Sequence, residues 1–234
     1  MKKSYLIIVA GLAVAAVALF FVLNNPVGRL VKLVVESVGP DMTQAAVRVN
    51  KVNISAEGKG ALLGMLLGNP KGFKTDFALK AATVEVAIEP ASIVQDVVVI
   101  HKILIDAPHI IYEKGDGGTN FDAIQRNVEA YLGTDRGKGK KEDKSESKKM
   151  IIGSFVIRNA KVNYNGMMDL SLPDIELHNI GRKSGGATSA QVVNAIIVEL
   201  NAKLVLALAK TAAINAVGGP AIGIGMGIKS LLGK

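Results

Sequence analysis

The sequence predicts an α+β fold in which a curved, mainly antiparallel, groove-like β-sheet is combined with flanking helices, and three observations support this. Residues 82–89 alternate apolar and polar side chains, as half-buried strands do. Residues 27–38 carry apolar side chains at helical spacing, with charged residues between them. A longer helical pattern begins at a cap, Thr188 or Ser189, and stops at Gly218, so helices flank the strand-rich middle at both ends.

Length and composition limit the classes of protein that fit. The 234 residues suffice for one main core, and 49% are hydrophobic, mostly aliphatic. Aromatic residues make up only 4% and Trp is absent, which disfavours an aromatic-lined cofactor pocket. The net charge is +8, but no aromatic residues that could stack on bases are interleaved with the basic ones, so we expect no nucleic-acid partner. We interpret the positive charge as one that favours a membrane surface or keeps the protein soluble. Cysteine is absent, which excludes disulfides and thiolate chemistry.

An apolar run near the N-terminus predicts a transmembrane helix. Residues 5–23 are all apolar or Gly and would span roughly 28 Å as a helix, close to the thickness of a bilayer core. Lys2 and Lys3 precede the run, and the positive-inside rule leaves them in the cytoplasm. The sequence therefore predicts a single-pass membrane protein with its N-terminus in the cytoplasm and its bulk on the other side of the membrane.

A cleavable signal peptide is the alternative for the same run. Small residues at Ala13, Ala15 and Ala18 resemble cleavage sites. Cleavage there would leave the apolar residues 19–23 as a new N-terminus, which favours an uncleaved anchor.

The predicted organisation has three parts. Residues 1–26 form the anchor, residues 27–182 a β-sheet module, and residues 183–234 a long amphipathic helix followed by a Gly-rich apolar tail. Within the module, residues 133–149 contain no apolar side chain, so we expect a disordered loop there.

Alternation and turn chemistry predict the strands of the module. The alternation of residues 47–54 changes phase at Asn50 and Lys51, which predicts a β-bulge. Gly39 and Pro40 are expected to end the preceding helix. The other predicted elements are strands at residues 58–67, 82–89, 97–105, 108–112, 151–157, 162–164 and 170–177, and a helix at residues 121–131.

No arrangement of residues typical of an enzyme is visible. The three histidines, His101, His109 and His178, lack the spacing of metal ligands. We find neither a nucleophile with its base nor paired carboxylates. The sequence therefore predicts a protein without enzymatic activity, catalytic residues, metal or cofactor.

Two strands are apolar on both faces, which requires apolar cover on each side. Residues 97–105 and 151–157 have this character. One interpretation is an ordinary sheet-and-helix fold filled by its own side chains. The other is a concave apolar sheet face that accepts acyl chains. The candidate lipid-binding residues of such a groove are Val84, Val86, Ile88, Val97, Val99, Ile103 and Ile105.

Several motifs resemble the N-terminal module of AsmA-like envelope proteins. They are Gly60-Ala-Leu-Leu-Gly64, Asn69-Pro-Lys-Gly-Phe73, Ala107-Pro-His-Ile-Ile-Tyr-Glu113 and Gly118-Thr-Asn-Phe-Asp-Ala-Ile124, in the family's order. The resemblance covers residues 29–132 well and residues 151–180 loosely. It implies a single-pass protein of the bacterial inner membrane with its bulk in the periplasm. This bulk would be a β-sheet groove, related to chorein-type bridges, that binds or conducts phospholipid and has no catalytic residues. The chain is too short to bridge an envelope as a monomer.

Two functional hypotheses follow. In the first, the protein binds or helps transfer membrane phospholipid in outer-membrane biogenesis. In the second, it is a structural or assembly protein with envelope protein partners, and its own C-terminal helix fills the groove.

Overall fold

The computed structural model of the chain describes residues 26–137 and 148–218. The predicted N-terminal anchor and the Gly-rich tail lie outside the described residues, as does the middle of the predicted disordered loop. The described residues form an α+β fold with a curled sheet and three helices, which confirms the predicted fold class at that level.

The helices are α1 (Pro26–Thr43), α2 (Asn120–Gly137) and α3 (Ser189–Gly218). The first strands are β1 (Val47–Ile54), β2 (Lys59–Leu67), β3 (Leu79–Ile88), β4 (Val97–Asp106) and β5 (His109–Tyr112). A small hairpin of β6 (Lys114–Gly115) and β7 (Gly118–Thr119) follows, and the last strands are β8 (Lys149–Arg158), β9 (Lys161–Tyr164), β10 (Met168–Ser171) and β11 (Ile175–Ile180).

The main sheet consists of six strand lines, several of which are interrupted once. Strands β1, β2 and β3 pair antiparallel in chain order, and the far edge of β3 pairs with both β4 and β5. Next come β8 and β9, which run parallel to β4 and β5, and then β11 and β10. The sheet is therefore mixed. The line of β8 and β9 is parallel to the line of β4 and β5, and all other neighbouring lines are antiparallel.

The interrupted strands keep one register across each interruption. Val97 pairs with Lys149 and His109 pairs with Lys161, so the offset between the two parallel lines is the same on both sides of the break. Strands β4 and β5 therefore form one bent line, and so do β8 and β9.

Buried apolar residues form rows that cross the whole sheet. Neighbours within each row are paired across adjacent strands. The upper row is Val47, Leu67, Leu79, Ile110, Val162 and Leu170; the middle row is Val52, Leu62, Val84, Ile105, Ile157 and Ile175; all are buried in one core. A lower row is Ile88, Ile100, Ile152 and Ile180.

Successive rows are separated by an odd number of residues in nearly every strand line. In a regular strand that spacing would put them on opposite faces. They share one core because the backbone is irregular between the rows. Between the upper and middle rows, Gly64, Ala107 and Asn159 have φ values of 63°, 51° and 54°. Between the middle and lower rows, the register shifts between Ala87 and Ile88 because β4 carries one extra residue, His101, and Asn179 has a φ of 56°.

Polar side chains stabilise the irregular backbone between the upper and middle rows. The Asp106 carboxylate accepts hydrogen bonds from Arg158 Nη2 at 3.0 Å and from Asn159 Nδ2 at 2.8 Å. The Ala107 N–H donates to the Arg158 carbonyl at 2.9 Å. These contacts fix the bend where β4 passes into β5 and β8 into β9, and they hold the pKa of Asp106 below its usual range through the bonds from Asn159 and Arg158.

The three helices form one layer with α2 in the middle. Helix α1 packs along β1 in the opposite direction: Val49 N–H donates to Glu36 Oε1 at 2.8 Å, and Lys32 Nζ donates to the Asn50 carbonyl at 3.0 Å. Helix α2 contacts both neighbours, and α3 also contacts β10 and β11. The start of α1 therefore points toward the end of the sheet that carries the lower row, called the lower end below.

The ends of several elements differ from those predicted from the sequence. Helix α1 continues through Gly39 and Pro40 to Thr43, because the Thr43 hydroxyl donates to the Gly39 carbonyl at 2.8 Å and Met42 is buried. The predicted change of phase at Asn50 and Lys51 is confirmed, because Val47, Val49 and Val52 are buried. The bulge itself is wrong: β1 and β2 keep their register, and the irregular residue is Gly64 on the opposite strand.

Three further predictions on element ends need correction. The predicted loop begins too early, because α2 extends to Gly137, and it ends too late, because β8 begins at Lys149. The predicted strand at residues 170–177 is two strands, since Pro173 has no N–H to donate to the sheet.

The C-terminal helix is confirmed, but it is not amphipathic. Thr188 caps it: Thr188 N–H donates to Gln191 Oε1 at 2.9 Å and Gln191 N–H donates to Thr188 Oγ1 at 3.3 Å. Its predicted apolar stripe is buried or partly buried. The exposed side carries Val198, Leu206 and Ile214 beside the Glu199–Lys203 ion pair and Lys210, so α3 has apolar residues on every side and charges on one.

Replacing Ala107 by Gly should stabilise the protein. Left-handed backbone costs an L-residue about 1–2 kcal/mol, and Gly avoids most of that cost, so we expect a gain of about 0.5–1 kcal/mol. Thermal unfolding of the detergent-solubilised chain measures it. The control Ala82→Gly, in β3 with ordinary φ, should lose stability; a loss of equal size for Ala107→Gly would contradict the assignment of strain.

Candidate functional site

The concave face of the sheet is the candidate site that the sequence predicts, and helices cover it. Phe121, Ile124 and Val128 of α2 are fully buried over the sheet, in the same core as the upper and middle rows. Leu200 and Leu204 of α3 are 1% and 0% exposed in that core. Side chains of the chain itself therefore fill the volume in which acyl chains were expected.

The structure brings four of the seven candidate residues together on the core side. Val84 pairs with Ile105 in the middle row, and both are buried. Val86 pairs with Ile103 on the adjoining row, and both are partly buried against the same core.

The other three candidates lie elsewhere. Ile88 is buried in the lower row, beyond the register shift between β3 and β4. Val97 and Val99 are half-buried and lie outside the helix-covered core, whereas their neighbour Ile100 packs against it. The irregularity between Ile100 and Ile103 reverses the alternation of the strand, so that Ile100, and not Val99, faces the helices. Sequence alternation alone does not place that irregularity, because the strand is apolar at almost every position.

A polar cluster surrounds the start of α2. Thr119 caps the helix: its N–H donates to Asp122 Oδ2 at 2.8 Å, and the Asp122 N–H donates to Thr119 Oγ1 at 3.1 Å. Asn120 is fully buried, and its Nδ2 donates to Asn69 Oδ1 and to the Ile111 carbonyl, both at 2.8 Å. The cluster thus joins α2 to β5 and to the loop after β2.

Glu113 fixes that same loop. Its carboxylate accepts the N–H groups of Lys74 at 2.7 Å and Thr75 at 2.9 Å, and the Thr75 hydroxyl at 2.5 Å. Burial raises the pKa of Glu113, but the bonds from Thr75 and Lys74 outweigh it and hold the pKa below its ordinary value.

Helix α3 is tied to this cluster. Asn201 Nδ2 donates to Asp122 Oδ1 at 2.8 Å and to Gln125 Oε1 at 3.2 Å. Burial raises the pKa of Asp122, while the bonds from Asn201 and from Thr119 lower it by more. The nearby Tyr112 is fully buried, and burial raises its pKa to about 12. Asn201 could not have been paired with Asp122 from sequence, because nothing in their spacing links them.

The cluster contains polar residues from three of the four motifs that carry the family resemblance. Asn69, Glu113, Thr119, Asn120 and Asp122 make contacts that shape a corner of the fold. Their hydrogen bonds are made within the cluster, so the arrangement positions α2 on the sheet.

A second concave feature lies at the lower end, after β11. It is an open cavity of about 610 Å³ lined by His178, Asn179, Gly181, Arg182, Lys183 and Ser184. The lining contains two permanent cations and no carboxylate. The sequence analysis had singled out only His178 among these residues.

Comparison with known proteins found no matching family model, no matching curated protein and no matching solved structure. Within residues 26–137 and 148–218, no group of His, Asp or Glu side chains is arranged to hold a metal ion. One helix in these same ranges is long and apolar enough to span a membrane: Ser189–Ile214 of α3, with 39% of its most apolar window buried in the fold.

Glu113→Gln should reduce the sensitivity of the fold to acid. Because the pKa of Glu113 lies below the ordinary value of 4.5, its ionised form stabilises the fold fully above that pH. This contribution is lost as the pH falls through the depressed pKa. The midpoint of thermal unfolding should therefore fall less steeply below about pH 4.5 in the variant than in the parent.

The variant should also be less stable at neutral pH, by about 1–3 kcal/mol, because a neutral amide accepts the same bonds less strongly. Glu129→Gln on the exposed side of α2 is the matched control and should retain the parent's profile. Equal acid sensitivity in Glu113→Gln and in the parent would refute the role given to Glu113.

Proposed function

We propose that the protein is a non-enzymatic, membrane-tethered structural or assembly module of the cell envelope. The observation that carries this proposal is the filling of the concave sheet face by α2 and α3. A groove that carries acyl chains needs free volume along its wall, whereas the buried rows are already packed against Phe121, Leu200 and Leu204. The second sequence hypothesis therefore fits the geometry better than the first.

The exposed apolar residues of α3 support an interaction with an apolar partner. Val198 is 42% exposed, Leu206 is 44% exposed and Ile214 is 71% exposed. A helix that covers the core of a soluble protein is normally polar on its outer side. In the proposal, this outer side contacts an envelope protein or the bilayer.

The tether rests on the apolar run at residues 5–23. With Lys2 and Lys3 in the cytoplasm, the sheet lies in the periplasm beside the inner membrane. Helix α1 follows the run directly, and its exposed Leu30, Leu33 and Val34 are 52%, 65% and 41% accessible, as suits a helix at a bilayer surface.

Phospholipid binding is the second candidate, and the character of α3 favours it. A largely apolar helix, with Glu199 and Lys203 paired to each other, is stable both in the groove and in a bilayer, so it could leave the sheet at a lower cost than an amphipathic helix. Acyl chains would then replace α3 against β10 and β11. The resemblance to AsmA-like proteins, which implies phospholipid handling, agrees with this candidate.

Deleting residues 188–234 separates the two candidates. The structural proposal expects loss of cooperative thermal unfolding, because the middle row would lose its cover. Lipid handling instead expects a folded protein with retained or increased phospholipid in native mass spectrometry. A folded, lipid-laden product would overturn the structural proposal.

Two substitutions two residues apart, on opposite sides of the helix, test the two sides of α3. Leu204→Asp places an unpaired charge in the core, and we expect a loss of about 3–5 kcal/mol or failure to fold. Leu206→Asp is the matched control for folding and should change stability by less than about 1 kcal/mol. Thermal unfolding of both variants measures this difference.

The same pair tests the partner surface. Leu206→Asp should reduce the size of the complex that the full chain forms in mildly solubilised membranes, as judged by native electrophoresis. An unchanged complex size, or equal destabilisation by both substitutions, would contradict the proposed two-sided role of α3.

A further inference from the structure

We propose that the loop between β11 and α3 binds the phosphate group of an anionic phospholipid headgroup. The loop contains the cavity of about 610 Å³ described above. That volume is in the range of small-molecule sites, and the cavity is open enough to admit a headgroup from a membrane surface. The inference rests on the proposed membrane tether for the source of the phosphate but not on the role of α3.

The charges of the cavity suit a phosphate. Arg182 and Lys183 are adjacent and exposed, so both can reach a ligand in the cavity. His178 lies 3.6 Å from Glu176, which offsets any charge that it carries. Arg and Lys therefore supply the positive charge, and an Arg–phosphate contact can be bidentate.

The backbone of the loop forms a tight turn that presents the two cations together. Gly181 has a left-handed φ of 79° and is followed by a 3₁₀ turn at Arg182–Ser184. The Gly186 N–H closes the turn by donating to the Gly181 carbonyl at 2.8 Å. The Ser184 hydroxyl braces the turn through the carbonyls of Gly181 at 3.2 Å and Gly186 at 3.0 Å.

The loop is held rigidly on the sheet. Met150 and Ala187 exchange two backbone hydrogen bonds, of 2.8 Å and 2.9 Å. A Cβ atom at Gly181 would lie 2.6 Å from the Met150 carbonyl oxygen, so glycine is required for this approach. Such support keeps Arg182 and Lys183 in place before a ligand arrives.

The position of the loop identifies the source of the phosphate. The loop lies at the lower end of the sheet, toward which the start of α1 points. Residues 5–23 precede α1, so a bilayer that holds this run lies nearest to the same end. Val94, 87% exposed, and Lys148, which donates to the Ile93 carbonyl, add an apolar tip and a cation at this end.

The test uses the full chain in a neutral detergent. Soluble dihexanoyl phosphatidylglycerol and inorganic phosphate are titrated separately, and binding is followed by microscale thermophoresis. The double variant Arg182→Gln with Lys183→Gln removes both cations. The control Arg48→Gln with Lys161→Gln removes the same charge from exposed positions beside the upper row.

We expect phosphatidylglycerol to bind the parent and the control alike, and the double variant to lose about tenfold or more in affinity. Equal affinity in all three proteins, or an equal loss in the control, would overturn the site. Binding of inorganic phosphate without binding of the lipid would overturn the headgroup assignment. Circular dichroism checks that the exposed substitutions leave the fold intact, and none of these outcomes depends on the test of α3.

Discussion

The curvature of the sheet depends on one packing constraint: aliphatic rows that would alternate between faces must all reach a single core. The upper and middle rows satisfy it only because the backbone changes face between them, at Gly64, Ala107 and Asn159. Each row of irregular residues adds twist and bends the strands, as bulges do in strongly curved sheets. The Asp106, Arg158 and Asn159 contacts hold the bend on the β4–β5 and β8–β9 lines, where a left-handed Ala would otherwise be unfavourable.

A sheet curled in this way presents an aliphatic concave surface that must be covered. Helix α2 covers its centre and α3 covers the edge formed by β10 and β11. The polar cluster at the start of α2 sets the position of this cover, because Asn120 fixes α2 to the sheet and Asn201 joins α3 to α2. The protein thus has an apolar interior closed by its own helices and exposed apolar residues on the outer side of α3, two features that support the proposed membrane-associated scaffold.

Much of the fold follows from local patterns in the sequence. Alternation located most of the strands, and helical spacing with the Thr188 cap located α3. The burial of the Leu200 and Leu204 stripe was also predictable, because period and residue type agree there. The change of face along β4 was not, since residues 97–105 are apolar on both sides and carry no periodic signal.

The candidate sites differ in how far the sequence could define them. Val84, Val86, Ile103 and Ile105 share a face, as a simple pleat predicts, whereas Val97 and Val99 are turned away by a non-local irregularity. The cavity with Arg182 and Lys183 depends on the left-handed Gly181 and on pairing with β8. A charged loop with glycines is common in sequences, and only the fold shows that this one forms a concavity.

Cross-linking in native membranes tests most directly whether α3 stays on the fold as its cover. The chain has no cysteine, so Gln125→Cys with Asn201→Cys gives a protein whose only thiols lie on facing sides of α2 and α3. A short bifunctional thiol reagent should join them nearly completely, while Gln125→Cys with Leu206→Cys should not react across the helices. Absence of the first cross-link, with both thiols still reactive, would mean that α3 leaves the sheet in the membrane and would contradict the account.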